Sequence, residues 1–270
     1  MKSHDFGQFI FNNAILDKNK ITAIINLART CKPTLAVEAL FLQLLLAEEL
    51  TQDDDDFVRS LITPRQAARA QEFKDGQSLA FAQGLINNKV FDYAQLEKVF
   101  DKYHSLEIPS IESALTNYYD RLKNYPDVDF PLAVDLIDSF HSFLSETLKA
   151  TIIVLPPSNL TDTLRLGATV KMTGELSTVI GLFADEYVFM KLAKRYDSYV
   201  EEVEDAYDAI AELLNVYTGH FVVKAAVSHG MDEQPEPPKI GTVSTKFDHI
   251  TLFSDIGTFY IYIGKQEIFN

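Results

Sequence analysis

Asp208, Glu212 and Asn215 stand in the order D-x3-E-x2-N within EDAYDAIAELLNVYTGHF. At about 100° per residue, Val203, Tyr207, Ile210, Leu214, Tyr217 and Phe221 make one apolar stripe of a helix. Asp208, Glu212, Asn215 and Gly219 make a second stripe, roughly opposite the first. The helix is therefore expected to bury one face and to hold an acid and an amide, one turn apart, on the other. A carboxylate beside a carboxamide can orient water or grip a polar partner. The same spacing also describes the solvated face of any amphipathic helix, so the stripe alone leaves both readings open.

The elements around that helix are legible from periodicity. PLAVDLIDSFHSFLSETL reads as a helix with Pro131 in its first turn and Leu136, Ile137, Phe140, Phe143 and Leu144 inward. Thr151–Leu155 is a short strand. Leu166, Ala168, Val170 and Met172 alternate as a half-buried strand, Gly174 marks a turn, and Leu176–Phe183 is the partner strand. Asp185 is placed to cap a helix buried through Phe189, Leu192, Ala193 and Tyr196. After the motif helix, Ile240–Leu252 and Thr258–Ile263 read as a closing hairpin around Ser254-Asp255-Ile256-Gly257. Together these predict a mainly antiparallel sheet with packed helices, an α+β architecture.

From about Val128 to Asn270 the chain resembles the CheC/CheX family of chemotaxis phosphatases, and CheX most. The family signature is an acidic or small polar residue, then Glu after three residues, then Asn after two, usually with Gly four further on. Here it reads Asp208, Glu212, Asn215, Gly219 without departure. LGATVKMTGELSTVIGLFADEYVFMKLAKRY upstream matches the family's strand, glycine turn, strand and helix, and PEPPKIG downstream precedes the closing strands.

The resemblance implies a protein substrate, the phosphorylated receiver domain of a CheY-like response regulator. An aspartyl phosphate is an activated mixed anhydride, so catalysis reduces to placing water in line with phosphorus. The receiver's own divalent cation, Mg in the family, neutralises the leaving oxygens, and no cofactor of this chain is implied. Asn215 takes the water-orienting role and Glu212 the pairing with a cationic receiver side chain. Asp208 and Gly219 are implied at the partner contact, the glycine letting a backbone come close. Two-site family members carry a second Glu/Asn pair on the first domain helix. Asp135 and Asp138 lack a correctly spaced asparagine, so one site is expected, as in CheX. The resemblance also implies a homodimer. An adaptor that docks a receiver or a second-messenger pathway protein without turnover is the alternative.

Composition narrows the partners. The net charge of −15 opposes nucleic acid and anionic membrane surfaces. Cys31 is the lone cysteine, which excludes an intrachain disulfide and fits a reducing cytoplasm. It is read as a small core residue. The amino-terminal stretch lacks the pattern of a secretory signal, and LAVEALFLQLLLA is too short for a membrane span. The six histidines show no metal-ligand spacing, and P-loop, G-x-S-x-G and G-x-G-x-x-G patterns are absent.

The first hundred residues carry an internal repeat. Phe9–Ile25 aligns without gaps on Gly84–Phe100, each with Asn-Asn, an apolar pair, and a capping Asp17 or Asp92. Ile21, Ile24, Ile25 and Ala28 match Leu96, Val99, Phe100 and Tyr103 as the buried face. A third copy is read through Leu46–Leu61, its Asp53–Asp56 run favouring a helix N-terminus rather than binding calcium. The pattern resembles the helical repeats of MshEN-type domains, some of which bind cyclic di-GMP. Their motifs open Arg-Leu-Gly and keep a glycine before the second apolar pair. Asp5-Phe6-Gly7 and Ala14 depart from both features, so a packing or partner-docking module without cyclic di-GMP binding is expected. The domain reading is a helical repeat module over residues 1–107, a helical connector over 108–127, and a CheX-like domain over 128–270.

Overall fold

A computed structural model describes residues 5–28, 37, 76–104, 110–119, 130–160, 163–244 and 247–269. The third repeat copy at Leu46–Leu61, the Asp53–Asp56 run, Cys31 and residues 120–129 of the connector lie outside them. The architecture is helical in the first part of the chain and α+β in the second. Two compact units divide it: Met1–Ile111 with Lys149–Thr151, and Glu112–Leu148 with Ile152–Asn270.

In the first unit, α1 (Phe6–Asn12) and α2 (Lys18–Ala28) are followed by α3 (Gly76–Asn87) and α4 (Tyr93–His104). The repeat is present bond for bond. Asn13 and Asn88 each donate a side-chain N–H to the carbonyl four residues back, Phe9 and Gly84. Gln8 and Gln83 each donate to the asparagine four residues on, Asn12 and Asn87. Asp17 and Asp92 accept from the backbone N–H of Lys20 and Gln95, capping α2 and α4. Ala14 and Lys89, one step after each Asn pair, both adopt positive φ, 49° and 54°. Glycine alone adopts that conformation without steric cost. Asp5 caps α1 by accepting from the Gln8 N–H at 2.7 Å. Phe6, Phe9, Phe81, Phe100 and Tyr103 gather in the core, with the Phe6 and Phe100 rings stacked 4.5 Å apart.

The division between units falls inside α5 (Ser110–Leu115), which leads into a 3-10 turn (Thr116–Tyr118). In the second unit follow α6 (Phe130–Leu148), β1 (Ile153–Val154), β2 (Arg165–Gly174), β3 (Val179–Ala184) and α7 (Glu186–Tyr196). Then come α8 (Val203–His229), β4 (Glu233–Pro235), β5 (Lys239–Val243), β6 (Ile250–Phe253) and β7 (Thr258–Gly264). All pairings are antiparallel, in the order β1-β6-β7-β3-β2-β4, with β5 also on β2.

Two expectations are corrected here. The stretch 240–252 is not one hairpin arm. β5 pairs with β2, Gly241 opposite Gly167, whereas β6 pairs with β7, Ile250 opposite Ile261. Strand β2 is half-buried only towards its end, since both faces are covered from Arg165 to Val170 and burial alternates from Lys171 on. One face, Leu166, Ala168, Val170 and Met172, continues into Leu182 and Ile261 and packs beneath the helices. On the other, Phe183 lies over Gly167 and Gly181 and is covered by Phe247 and Phe269. A Cβ on Gly167 would sit 2.1 Å from the Phe183 ring, so glycine is what lets that ring lie flat on the sheet.

Candidate functional site

Helix α8 is held at both ends by its own chain. The Asp205 carboxylate accepts from the N–H groups of Glu201 and Glu202, each at 3.0 Å, satisfying donors at the N-terminus. Those two hydrogen bonds hold its carboxyl below the usual carboxylate range. At the other end Gly230 turns left-handed, φ 68°, and Met231 donates back to the Ala225 carbonyl.

The apolar stripe does what its spacing predicts. Ile210, Leu214, Tyr217 and Phe221 are fully buried, and Val203 and Tyr207 partly so. Tyr217 stacks on Phe140 of α6 at 4.2 Å and donates its hydroxyl to the Leu136 carbonyl at 2.8 Å. Complete burial pushes its phenol pKa far up, so it stays a neutral donor. Tyr207 donates to the Gly241 carbonyl and leans on Phe189 of α7. Two helices and the sheet thus fix α8 in rotation about its own axis.

That rotation sets the opposite face. Asp208, Glu212, Asn215 and Gly219 are all exposed. Glu212 and Asn215 lie ~4.5 Å apart along the axis and about 60° apart around it. Among the described residues no hydrogen bond or ion pair engages the Asp208 or Glu212 carboxylate or the Asn215 carboxamide. Within the helix the buried Thr218 hydroxyl donates to the carbonyls of Leu214 and Asn215, taking up backbone while leaving the amide untouched. Tyr196 of α7 lies near enough that burial, then the charges of Glu212 and Asp197, raise its phenol pKa. An acid, an amide and open space on a rigid support can orient a water and grip a cation.

Gly219 has no internal reason to be glycine, since an added Cβ would meet nothing within 4 Å. Beside it and past it, the same face carries Val216, Val223, Ala226 and Val227, all exposed. The sequence reading ended the outer stripe at Gly219 and missed this extension. The signal was there, in the i, i+7 and i, i+4 spacing of Val216, Val223 and Val227.

On α6, the Asp135 carboxylate is engaged by ion pairing. Asp135 accepts from Lys224 and His229 of α8, both at 3.0 Å. Among the described residues no three His, Cys, Asp or Glu side chains converge to hold a metal ion. No described helix is long and apolar enough to cross a membrane.

No family model matches the chain, and no curated protein matches it. Solved structures do, and CheX- and CheC-like chemotaxis proteins are among them. The chemotaxis protein CheX of Desulfovibrio desulfuricans is 18% identical, covering 50% of this chain and 98% of its own, with a TM-score of 0.41. A CheC-like superfamily protein of Shewanella sp. PV-4 is 17% identical over 50% of this chain and 97% of its own, TM-score 0.40. A CheX–CheY–BeF3–Mg complex of Borrelia burgdorferi provides a match 16% identical over 51% of this chain and 97% of that one, TM-score 0.37.

Proposed function

We propose that the C-terminal half is a phosphatase that hydrolyses the aspartyl phosphate of a CheY-like receiver domain, in chemotaxis or related two-component signalling. The observation that carries the reading is the pair Glu212 and Asn215. They are exposed and unengaged among the described residues, in the spacing of the motif, on a helix whose other face is locked into the core. A group meant only to keep a helix wet needs no such support.

The chemistry asks little of the chain. The acyl phosphate is already activated, and the receiver carries the divalent cation that stabilises the leaving oxygens. Asn215 contributes orientation. Its carboxamide accepts from an attacking water and donates to the phosphoryl group without adding negative charge to a dianion. Glu212 cannot approach that dianion without repulsion, and one turn away it pairs with a lysine or arginine of the receiver. Asp208 sits a turn further from the chemistry, at the rim of the contact. A homodimer is part of this reading.

The test is phosphate release from a panel of purified phosphorylated receiver domains, with and without the full chain. Acceleration on at least one receiver, abolished in Asn215→Ala, is the expected result. Saturable binding with no acceleration on any receiver would instead support an adaptor, and neither binding nor acceleration would end the phosphatase reading and the receiver-docking adaptor together.

A further inference from the structure

The exposed face of α8 does not end at Asn215. Val216, Val223 and Val227 are 37%, 64% and 82% exposed, and Gly219 and Ala226 lie between them. Helix α8 is about 40 Å long, and this apolar ladder occupies its last three turns. Local energetics argue against it as a solvated face. Valine and glycine are poor helix formers, and alanine, glutamate or lysine would serve an exposed helix better. The buried stripe explains the other side of the helix and leaves the ladder unexplained. Such a conflict between local preference and position marks a surface kept for another purpose.

We infer that Val216, Gly219, Val223, Ala226 and Val227 form the docking ridge for the receiver domain whose phosphoryl group Asn215 addresses. This rests on the phosphatase reading, and it specifies the partner's surface: an apolar strip beside a lysine or arginine. Continuity carries the first part, because Val216 follows Asn215 directly and Gly219 lies one turn on. Charge carries the second. Glu201, Glu202, Glu204, Asp208 and Glu212 are exposed on the N-terminal half of the same region, residues 201–223 contain no lysine or arginine, and Lys224 within the ridge stretch is paired with Asp135. Two copies of this chain meeting through that face would bring like charges together and cover both acid/amide pairs, so a basic partner is favoured over self-association. Gly219, open where a Cβ would stand, lets the partner's backbone approach between the valines.

The experiment uses the full chain and a panel of CheY-like receiver domains activated with beryllofluoride and Mg2+. Val223→Asp combined with Val227→Asp is expected to weaken binding about tenfold or more, and to raise the half-saturating receiver concentration in phosphate release while leaving kcat near wild type. Val223→Ala combined with Val227→Ala guards against misfolding. Alanine is the better helix former, so this variant is expected to melt no lower than wild type yet bind more weakly. Gly219→Ala is expected to behave likewise. Should wild type bind and turn over a receiver while both valine pairs match it, the ridge is overturned and the phosphatase reading stands. Should the aspartate pair convert a dimer to monomer in sedimentation without changing receiver binding, the ridge is a self-contact and the inference is wrong. Should wild type neither bind nor turn over any receiver, the phosphatase reading falls and takes the ridge with it.

Discussion

Tyr217 donates its hydroxyl to the carbonyl oxygen of Leu136 at 2.8 Å, two residues along α8 from Asn215 and on the opposite side of the helix. The bond ties α8 to α6 and limits how far the amide can rotate. Tyr217→Phe keeps the ring stacked on Phe140 and removes only the hydroxyl. The expected loss is about 1 kcal/mol of stability, the usual net worth of one hydrogen bond, read as a lower urea midpoint with unchanged slope. A fall in kcat larger than any change in half-saturation is expected alongside it, because positioning is what has been loosened.

Asn215→Ala is expected to lower receiver dephosphorylation by on the order of 10²-fold, the scale attached to misplacing a reacting group. Stability should change by less than about 0.5 kcal/mol, since Asn215 is exposed. Glu212→Ala and Glu212→Gln are expected to be almost equally damaging to half-saturation, with kcat spared, because the charge does the docking. Raising ionic strength should weaken the wild type and leave the Gln variant nearly flat. Steady-state rates at several salt concentrations check all of these outcomes.

Arg195 and Asp255 form an ion pair at 2.7 Å, with the Asp255 side chain 6% exposed. Arg195 also donates to the Leu148 carbonyl, so one guanidinium joins the end of α7, the end of α6 and the β6–β7 turn. Arg195→Met takes the guanidinium away from a buried carboxylate and is expected to cost about 3 kcal/mol. Adding Asp255→Asn should recover part of that loss, a coupling that denaturant titration of the double-mutant cycle would show or refute.

Acid should loosen the link between α6 and α8. Burial raises the Asp135 pKa, but hydrogen bonds from His229 and Lys224 and their charges outweigh it, and the net direction is down. A carboxyl depressed in the folded state contributes stability above its unfolded pKa of about 4 and loses it as pH falls through the folded value. Asp135→Asn is therefore expected to be less stable than wild type at neutral pH, with the gap closing below about pH 4. Melting curves from pH 7 to pH 3 would show it, and a gap that persists at low pH would remove Asp135 from the acid response.

Ala14 holds φ at 49°, where a Cβ is penalised. Ala14→Gly is expected to stabilise the chain by up to about 1 kcal/mol, the relief of that strain less the entropy glycine loses on folding. Lys89→Gly, at the equivalent position of the second repeat copy, should do the same. Thermal unfolding of both variants tests whether the two turns are energetically alike.

What the sequence determined by itself was local. The 3.6-residue period identified α8, its buried stripe, and the outward placement of Asp208, Glu212, Asn215 and Gly219, because burial on a helix follows directly from spacing. The repeat was legible for the same reason, its caps Asp17 and Asp92 acting within three residues. Tertiary structure decided the rest. Residues 239–243 chose β2 rather than the closing hairpin, the second face of β2 was covered from Phe183, Phe247 and Phe269, and Asp135 met Lys224 and His229 about ninety positions away. Strand pairing and ion pairing over such separations depend on which surfaces the folded chain brings together, and no local period encodes that. The valine ladder sits between the two cases. Its spacing was visible in the sequence, but only the packing of α6, α7 and the sheet on the other face of α8 established that these valines remain outside.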